Sequence, residues 1–190
     1  MSSFNTTALL VMDLQNGIVS RFADQVAVLE PFRKAVEAAR QHNIQVIYVR
    51  VAFREGYPEI SPNNKSFSAH AGSGGMSESD GATQIHVSVQ PRPGEPLVTK
   101  RRVSAFSGSD LEVLLRGRQI DTLILSGIST SGVVLSTLRE AADKDFRLTV
   151  LSDACLDMDP EVHRVLAEKV FPRQAEVLTV DAWINALRNS

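Results

Sequence analysis

The sequence predicts an α/β protein, a three-layer α/β/α sandwich around a mostly parallel, doubly wound sheet. Three observations predict it. Short apolar runs alternate with segments of helical periodicity along the whole chain, the pattern of βαβ units joined by right-handed crossovers. Runs such as Leu123-Ile124-Leu125 are continuously apolar, as strands buried on both faces require. With 190 residues, 43% hydrophobic and 22% charged, the chain fits one domain over residues 1–190 with a sizeable core and no internal repeat.

Taken in order, residues 7–14 read as a buried strand closing on Asp13, with Gln15, Asn16 and Gly17 forming a polar turn. A helix follows over 30–43, with Phe32, Val36 and Ala39 on one face and Pro31 placed in its first turn. Residues 45–53 are the second strand. Residues 54–82 are rich in Gly, Pro, Ser and Asn, far longer than a usual connection, and are expected to cover a pocket or reach a second subunit, anchored by Phe53, Tyr57 and Phe67. A third strand over 96–101 carries Lys100, and Ser109-Asp110-Leu111-Glu112 reads as a capping box opening a helix that Gly117 ends.

The stretch Asp121–Thr137 is the centre of the chain: a strand that Gly127 ends, a Ser/Thr-rich turn, and a helix with Val133, Val134, Leu138 and Ala141 at helical steps. Such a turn lies at a helix amino end, where unpaired N–H groups and the helix dipole favour an oxyanion. Strand five covers 147–153, a helix starts at Asp159-Pro160-Glu161 and runs to about Val170, and a last strand over 175–180 leads to a helix bearing Trp183, Ile184 and Leu187, capped by Thr179 or Asp181.

Composition narrows the function. A net charge of −2, with no basic run longer than Lys100-Arg101-Arg102, gives no bulk attraction for nucleic acid or anionic membranes, so a small-molecule substrate is expected. The single cysteine, Cys155, excludes an internal disulfide, and no stretch approaches the roughly 20 apolar residues of a membrane span. The start, MSSFNTTALLVMDLQ, lacks the charged region and cleavage site of a secretory signal, so a cytoplasmic location is expected. His42, His70 and His86 lack ligand spacing; neither metal nor cofactor is expected.

In a doubly wound sheet, ligands bind beyond the carboxyl ends of the strands. Asp13, Lys100 and the Gly127 turn all fall there, so an acid–base carboxylate, its cationic partner and oxyanion donors can converge.

The segments LLVMDLQNG at 9–17, VTKRRVSAF at 98–106, LILSGISTSGVVLST at 123–137 and LTVLSDAC at 148–155 resemble the isochorismatase-like hydrolases, or cysteine hydrolase family, which includes nicotinamidases, N-carbamoylsarcosine amidases and isochorismatases. The resemblance covers nearly the whole chain. It implies a catalytic Asp and Lys at Asp13 and Lys100, substrate contacts at Gln15, Phe106, Ser129 and Thr130, a cis peptide between Ile128 and Ser129, oxyanion donors near Ser129 and Val133, and a homo-oligomer, dimer or tetramer. The position of the family's nucleophilic cysteine is Val133 here, which argues against a thioester route; family isochorismatases also lack that cysteine and carry glycine there. The metal-ligand pattern of the nicotinamidases is missing, since Val51, Ala52, Phe53 and Arg54 stand after strand two.

Three readings stay open. One is a hydrolase acting on a vinyl ether or C–N bond through Asp13 and Lys100. Another is a binding or regulatory protein on the same fold. The last is a serine hydrolase: Gly127-Ile-Ser-Thr-Ser131 is one glycine short of a G-x-S-x-G elbow, and Asp153 and His163 follow Ser129 in triad order. Ser131, turned about 200° from the nucleophile position, reads as a helix cap, and Cys155 as a structural thiol.

Overall fold

The computed structural model describes residues 6–22, 25–71 and 73–189; the first five residues of the N-terminal stretch read above lie outside them. Six strands form one sheet: β1 (Thr7–Met12), β2 (Gln45–Val51), β3 (Leu97–Lys100), β4 (Thr122–Ile128), β5 (Arg147–Leu156) and β6 (Glu176–Leu178). All pair in parallel, in the order β3-β2-β1-β4-β5-β6. Strand order reverses between β1 and β4, which puts the topological switch point, and the ligand crevice it creates, at the carboxyl end of these two central strands.

The helices are α1 (Asn16–Val19), α2 (Gln25–Gln41), α3 (Lys65–Ala71), α4 (Leu111–Gly117), α5 (Leu135–Asp143), α6 (Pro160–Val165) and α7 (Val180–Arg188). Alternation along the strands splits the core into two layers. Leu10, Met12, Val49 and Leu125 pack with Leu111 and Leu115 of α4 and Leu138 of α5. Leu9, Val11, Tyr48 and Ile124 face the other way, onto Leu29, Phe32 and Val36 of α2 and Trp183 of α7. Both faces of the sheet are therefore covered, and every residue of β1 is buried.

Several boundaries differ from expectation. Helix α2 starts five residues early and keeps Pro31 inside. A proline there costs about 3 kcal/mol, but burying Leu29, Phe32 and Val36 returns about 1.5–3 kcal/mol each, so packing overrides the local penalty. Residues 54–82 contain α3, whose Phe67 is its one buried residue; a seven-residue helix with a single apolar contact shows no periodicity. Gly127 lies within β4 rather than ending it. A Cβ there would meet the Met12 carbonyl oxygen at 2.7 Å and Met12 Cβ at 2.9 Å, so only glycine lets β4 lie this close to β1.

Strand β5 runs three residues past its expected end. Its register with β4 jumps from Leu125↔Val150 to Gly127↔Cys155, a bulge that carries the chain on toward Asp157. The capping box at Ser109 does not form. Ser109 Oγ donates to the Ala105 carbonyl at 2.6 Å and accepts from Leu111 N, while Glu112 pairs with Lys144 at 2.7 Å. Thr179, not Asp181, caps α7, its hydroxyl accepting from Ala182 N. No helix of the described residues is long and apolar enough to cross a membrane.

Candidate active site

The sheet register builds the site. Val51 at the end of β2 pairs with Lys100 at the end of β3, and Met12 at the end of β1 pairs with Gly127. Asp13 follows Met12 directly, with φ of 61°, a left-handed backbone that aspartate tolerates better than most residues. Its N–H still donates to Val49 O at 2.8 Å, so the backbone is tied to β2 where the strand bends away.

Lys100 is 2% exposed and Asp13 5%. Lys100 Nζ lies 2.9 Å from Asp13 Oδ2 and donates to the carbonyls of Arg102 at 3.0 Å and Val103 at 2.9 Å. Three donors thus have three acceptors, and the ammonium is held in one place. The other carboxylate oxygen, Asp13 Oδ1, is buried with no hydrogen-bond partner. Burial raises the pKa of Asp13 above the ordinary carboxylate value, and the charge and hydrogen bond of Lys100 oppose that rise without cancelling it.

The turn after β4 forms the opposite wall. The Ile128–Ser129 peptide is cis, and a π-helical turn, Thr130–Val134, leads into α5. Ser129 Oγ caps it, accepting from Gly132 N at 3.1 Å; a Cβ on Gly132 would lie 2.6 Å from that oxygen, so the cap requires glycine. Gly132 and Val134 also donate to the Ser129 carbonyl. Ser131 donates from both N and Oγ to Asp157 Oδ2, at 2.8 and 2.7 Å. Partial burial pushes the Asp157 carboxyl up, but these bonds and further backbone donors outweigh it and hold its pKa below the ordinary value.

Asp13, Lys100, Ser129 and Val133 line one cavity of about 280 Å³. Phe67 and His70 of α3 and Met76 complete its wall, so the long 54–82 segment contributes directly to it. Phe53 anchors that segment, its ring 5.4 Å from Phe67 and 6.2 Å from Tyr57 in edge contacts.

A model of the Isochorismatase domain matches residues 7–182. The chain belongs to the isochorismatase family. The uncharacterised isochorismatase family protein YwoC of Bacillus subtilis is 35% identical over 186 residues, covering 97% of this chain and 96% of its own. Ureidoacrylate amidohydrolase RutB of Stutzerimonas stutzeri is 31% identical over 206 residues, covering 95% of this chain and 79% of its own. Among solved structures, an isochorismatase family protein from Burkholderia thailandensis superposes with a TM-score of 0.82 at 27% identity, over 97% of this chain and 96% of that one. N-carbamoylsarcosine amidase from Thermoplasma acidophilum does so with a TM-score of 0.75 at 26% identity, over 93% and 97%.

Within this isochorismatase-family fold, Phe106 and Thr130, expected at the substrate, do not line the Asp13–Lys100 cavity, and Gln15, also expected there, lines only a smaller cavity beside it. Gln15 is 2% exposed, and its amide bridges loops: Nε2 donates to Val51 O and Thr83 O at 2.9 and 3.0 Å, while Oε1 accepts from Val51 N. It clamps the loops at the wall of that smaller cavity. Phe106 packs against Phe146 in the core at 6.0 Å between ring centroids. Thr130 is fully buried, its hydroxyl 2.8 Å from His163 Nδ1.

The serine triad does not assemble. Ser129 Oγ is the turn's cap, His163 pairs with Thr130, and Asp153 Oδ1 accepts from Val180 N at 2.8 Å. Ser131 is likewise not the cap but the partner of Asp157. Cys155 sits in β5, 1% exposed, its thiol pushed up to about 12 by burial, which makes it inert as a nucleophile. Among the described residues no group of three or more His, Cys, Asp or Glu side chains could hold a metal ion.

Sequence reading passed over Arg21, Asp157 and Met158 as cavity residues. The last two follow the carboxyl end of β5, so the strand-end rule finds them once β5 is extended to Leu156. Arg21 follows a four-residue helix that leaves no periodic signal.

Proposed function

We propose that this chain hydrolyses a small molecule at a vinyl ether or C–N bond, using Asp13 and Lys100 with backbone oxyanion donors and no thiol intermediate. The observation that carries this reading is the buried Asp13 in the cavity lining, with Oδ1 unpartnered and Oδ2 fixed 2.9 Å from Lys100. Burial raises this carboxyl above its ordinary value and Lys100 opposes the rise, an environment that suits a group asked to give and take a proton.

On a vinyl ether, Asp13 protonates the alkene carbon β to the ether oxygen, leaving an oxocarbenium ion. Water adds to that ion and returns its proton to the Asp13 carboxylate, and the hemiketal collapses to a carbonyl compound and an alcohol. On an amide or carbamoyl group, the Asp13 carboxylate takes a proton from the attacking water. The tetrahedral oxyanion lies against the N–H groups of Ser129 and Val133, and Asp13 then gives its proton to the departing nitrogen. The names of two relatives, a ureidoacrylate amidohydrolase and an N-carbamoylsarcosine amidase, support the C–N class. Lys100 holds Asp13 in place and stabilises its ionised form throughout.

A second reading, ligand binding without turnover, draws on Val133: an apolar side chain, 2% exposed, stands where the family resemblance puts a thiol. The deciding experiment is a screen of the purified protein against amides, carbamoyl compounds and vinyl ethers. Turnover of any class supports the hydrolase, and binding without turnover across all three favours the second reading. We place the protein in the cytoplasm as a homo-oligomer, dimer or tetramer, and light scattering that shows only monomer counts against the assembly.

A further inference from the structure

Five side chains that can carry charge line the cavity: Asp13, Arg21, His70, Lys100 and Asp157. Lys100 and Asp13 are occupied with each other, and Asp157 accepts from Ser131. Arg21 differs. Among the described residues its guanidinium makes no hydrogen bond or ion pair, although its backbone N–H donates to Ile18 O. Arg21 is an exposed residue, so the uncommitted positive charge of this lining stands open to solvent.

Its position is also distinctive. A second cavity of about 190 Å³ adjoins the first, and the two share Ile18, Arg21, Val51, His70 and Met76. Asp13 and Lys100 line only the first, whereas Gly74 and Gly75 line only the second. Arg21 and His70 thus stand where the two cavities meet. Much of the remaining wall of the first cavity is apolar, from Val51, Phe67, Met76, Ile128 and Val133 among others.

Resting on the reading of this cavity as the substrate site, we propose that the natural ligand carries a carboxylate, that Arg21 binds it with His70 as the neighbouring donor, and that Arg21 is the specificity-determining residue of the site. The planar guanidinium fork matches a carboxylate with two parallel N–H···O bonds. A single guanidinium also fits a monoanion better than a phosphate dianion, which gathers more cationic partners than this wall supplies. The ligand therefore has its anionic end at the junction, an apolar body along the wall, and its reacting bond at Asp13.

The test uses binding, so it is independent of turnover. Benzoate and benzyl alcohol share an apolar ring and differ in the charge, and each is titrated into wild type, Arg21→Gln and Arg21→Lys, followed by ligand-observed NMR. Benzoate is expected to bind wild type about fivefold to tenfold more tightly than benzyl alcohol. Arg21→Gln abolishes that preference while leaving benzyl alcohol binding intact, and Arg21→Lys keeps part of it. Failure of benzoate to bind wild type, the absence of a preference there, or a preference that survives Arg21→Gln overturns the assignment. Failure of the hydrolase reading shows separately, as a lack of turnover in a site that still prefers the anion.

Discussion

Replacing Lys100 with methionine tests what the buried pair contributes to the fold as well as to the site. The side chain is 2% exposed and makes three donated contacts, to Asp13, Arg102 O and Val103 O, all within 3.0 Å. Removing one partner of a buried pair costs about 3–5 kcal/mol. For a chain of this size, 1 kcal/mol is about 2–4 °C in Tm, so Lys100→Met melts about 6–20 °C lower. The loss depends on pH, with a definite sign. Asp13 has a native pKa raised above its unfolded value, so its contribution to stability is full below the unfolded pKa and is lost as pH rises through the native one. Without Lys100 both influences that lower the native pKa vanish and burial acts alone. The native value climbs further, and the loss extends over a wider interval. Lys100→Met is therefore closest to wild type in acid and furthest from it at neutral pH. Urea unfolding over a pH series reads this directly, beside the double variant Asp13→Asn with Lys100→Met, in which no buried charge is stranded and part of the stability returns. A loss that does not change with pH, or a double variant whose loss is the sum of the two single ones, refutes the reasoning.

Other outcomes follow from the same geometry. Val133→Cys puts a thiol on the cavity wall that Lys100 also lines, and it is expected to react with iodoacetamide faster than Cys155, whose burial suppresses the thiolate; a thiol at residue 133 no faster than Cys155 means the wall is occluded. Gly127→Ala forces a Cβ to 2.7 Å from the Met12 carbonyl oxygen, and the resulting shift of β1 against β4 costs about 1–3 kcal/mol in urea unfolding. An alanine variant as stable as wild type means that β1 and β4 separate without cost.

Much of this was legible before any coordinates. Strands β1 and β4 announce themselves because a strand buried on both faces must be apolar throughout, and the strand-end rule then selects Asp13, Lys100 and the Gly127 turn. Less visible were features decided by contacts far apart in sequence. Gln15 reads as a turn residue, yet its amide is satisfied by Val51 and Thr83, 36 and 68 positions away. Strand β5 reads as ending at the polar Asp153, yet it continues through Ala154, Cys155 and Leu156 past an irregularity in its register with β4 that carries the chain to Asp157. Phe106 and Thr130 sit inside matching motifs but point into the core or toward His163, and no spacing in the sequence distinguishes a side chain that faces the cavity from one that faces away.

The central claim is that Asp13 moves the proton in hydrolysis, and the most direct measurement is kcat/KM of wild type against Asp13→Asn on the best substrate from the screen, with both proteins shown to share one fold by circular dichroism. An asparagine keeps the shape and can neither give nor take that proton, so turnover is expected to fall by about 10²–10⁴-fold while binding of the substrate persists. An Asp13→Asn enzyme with near wild-type kcat/KM contradicts the account.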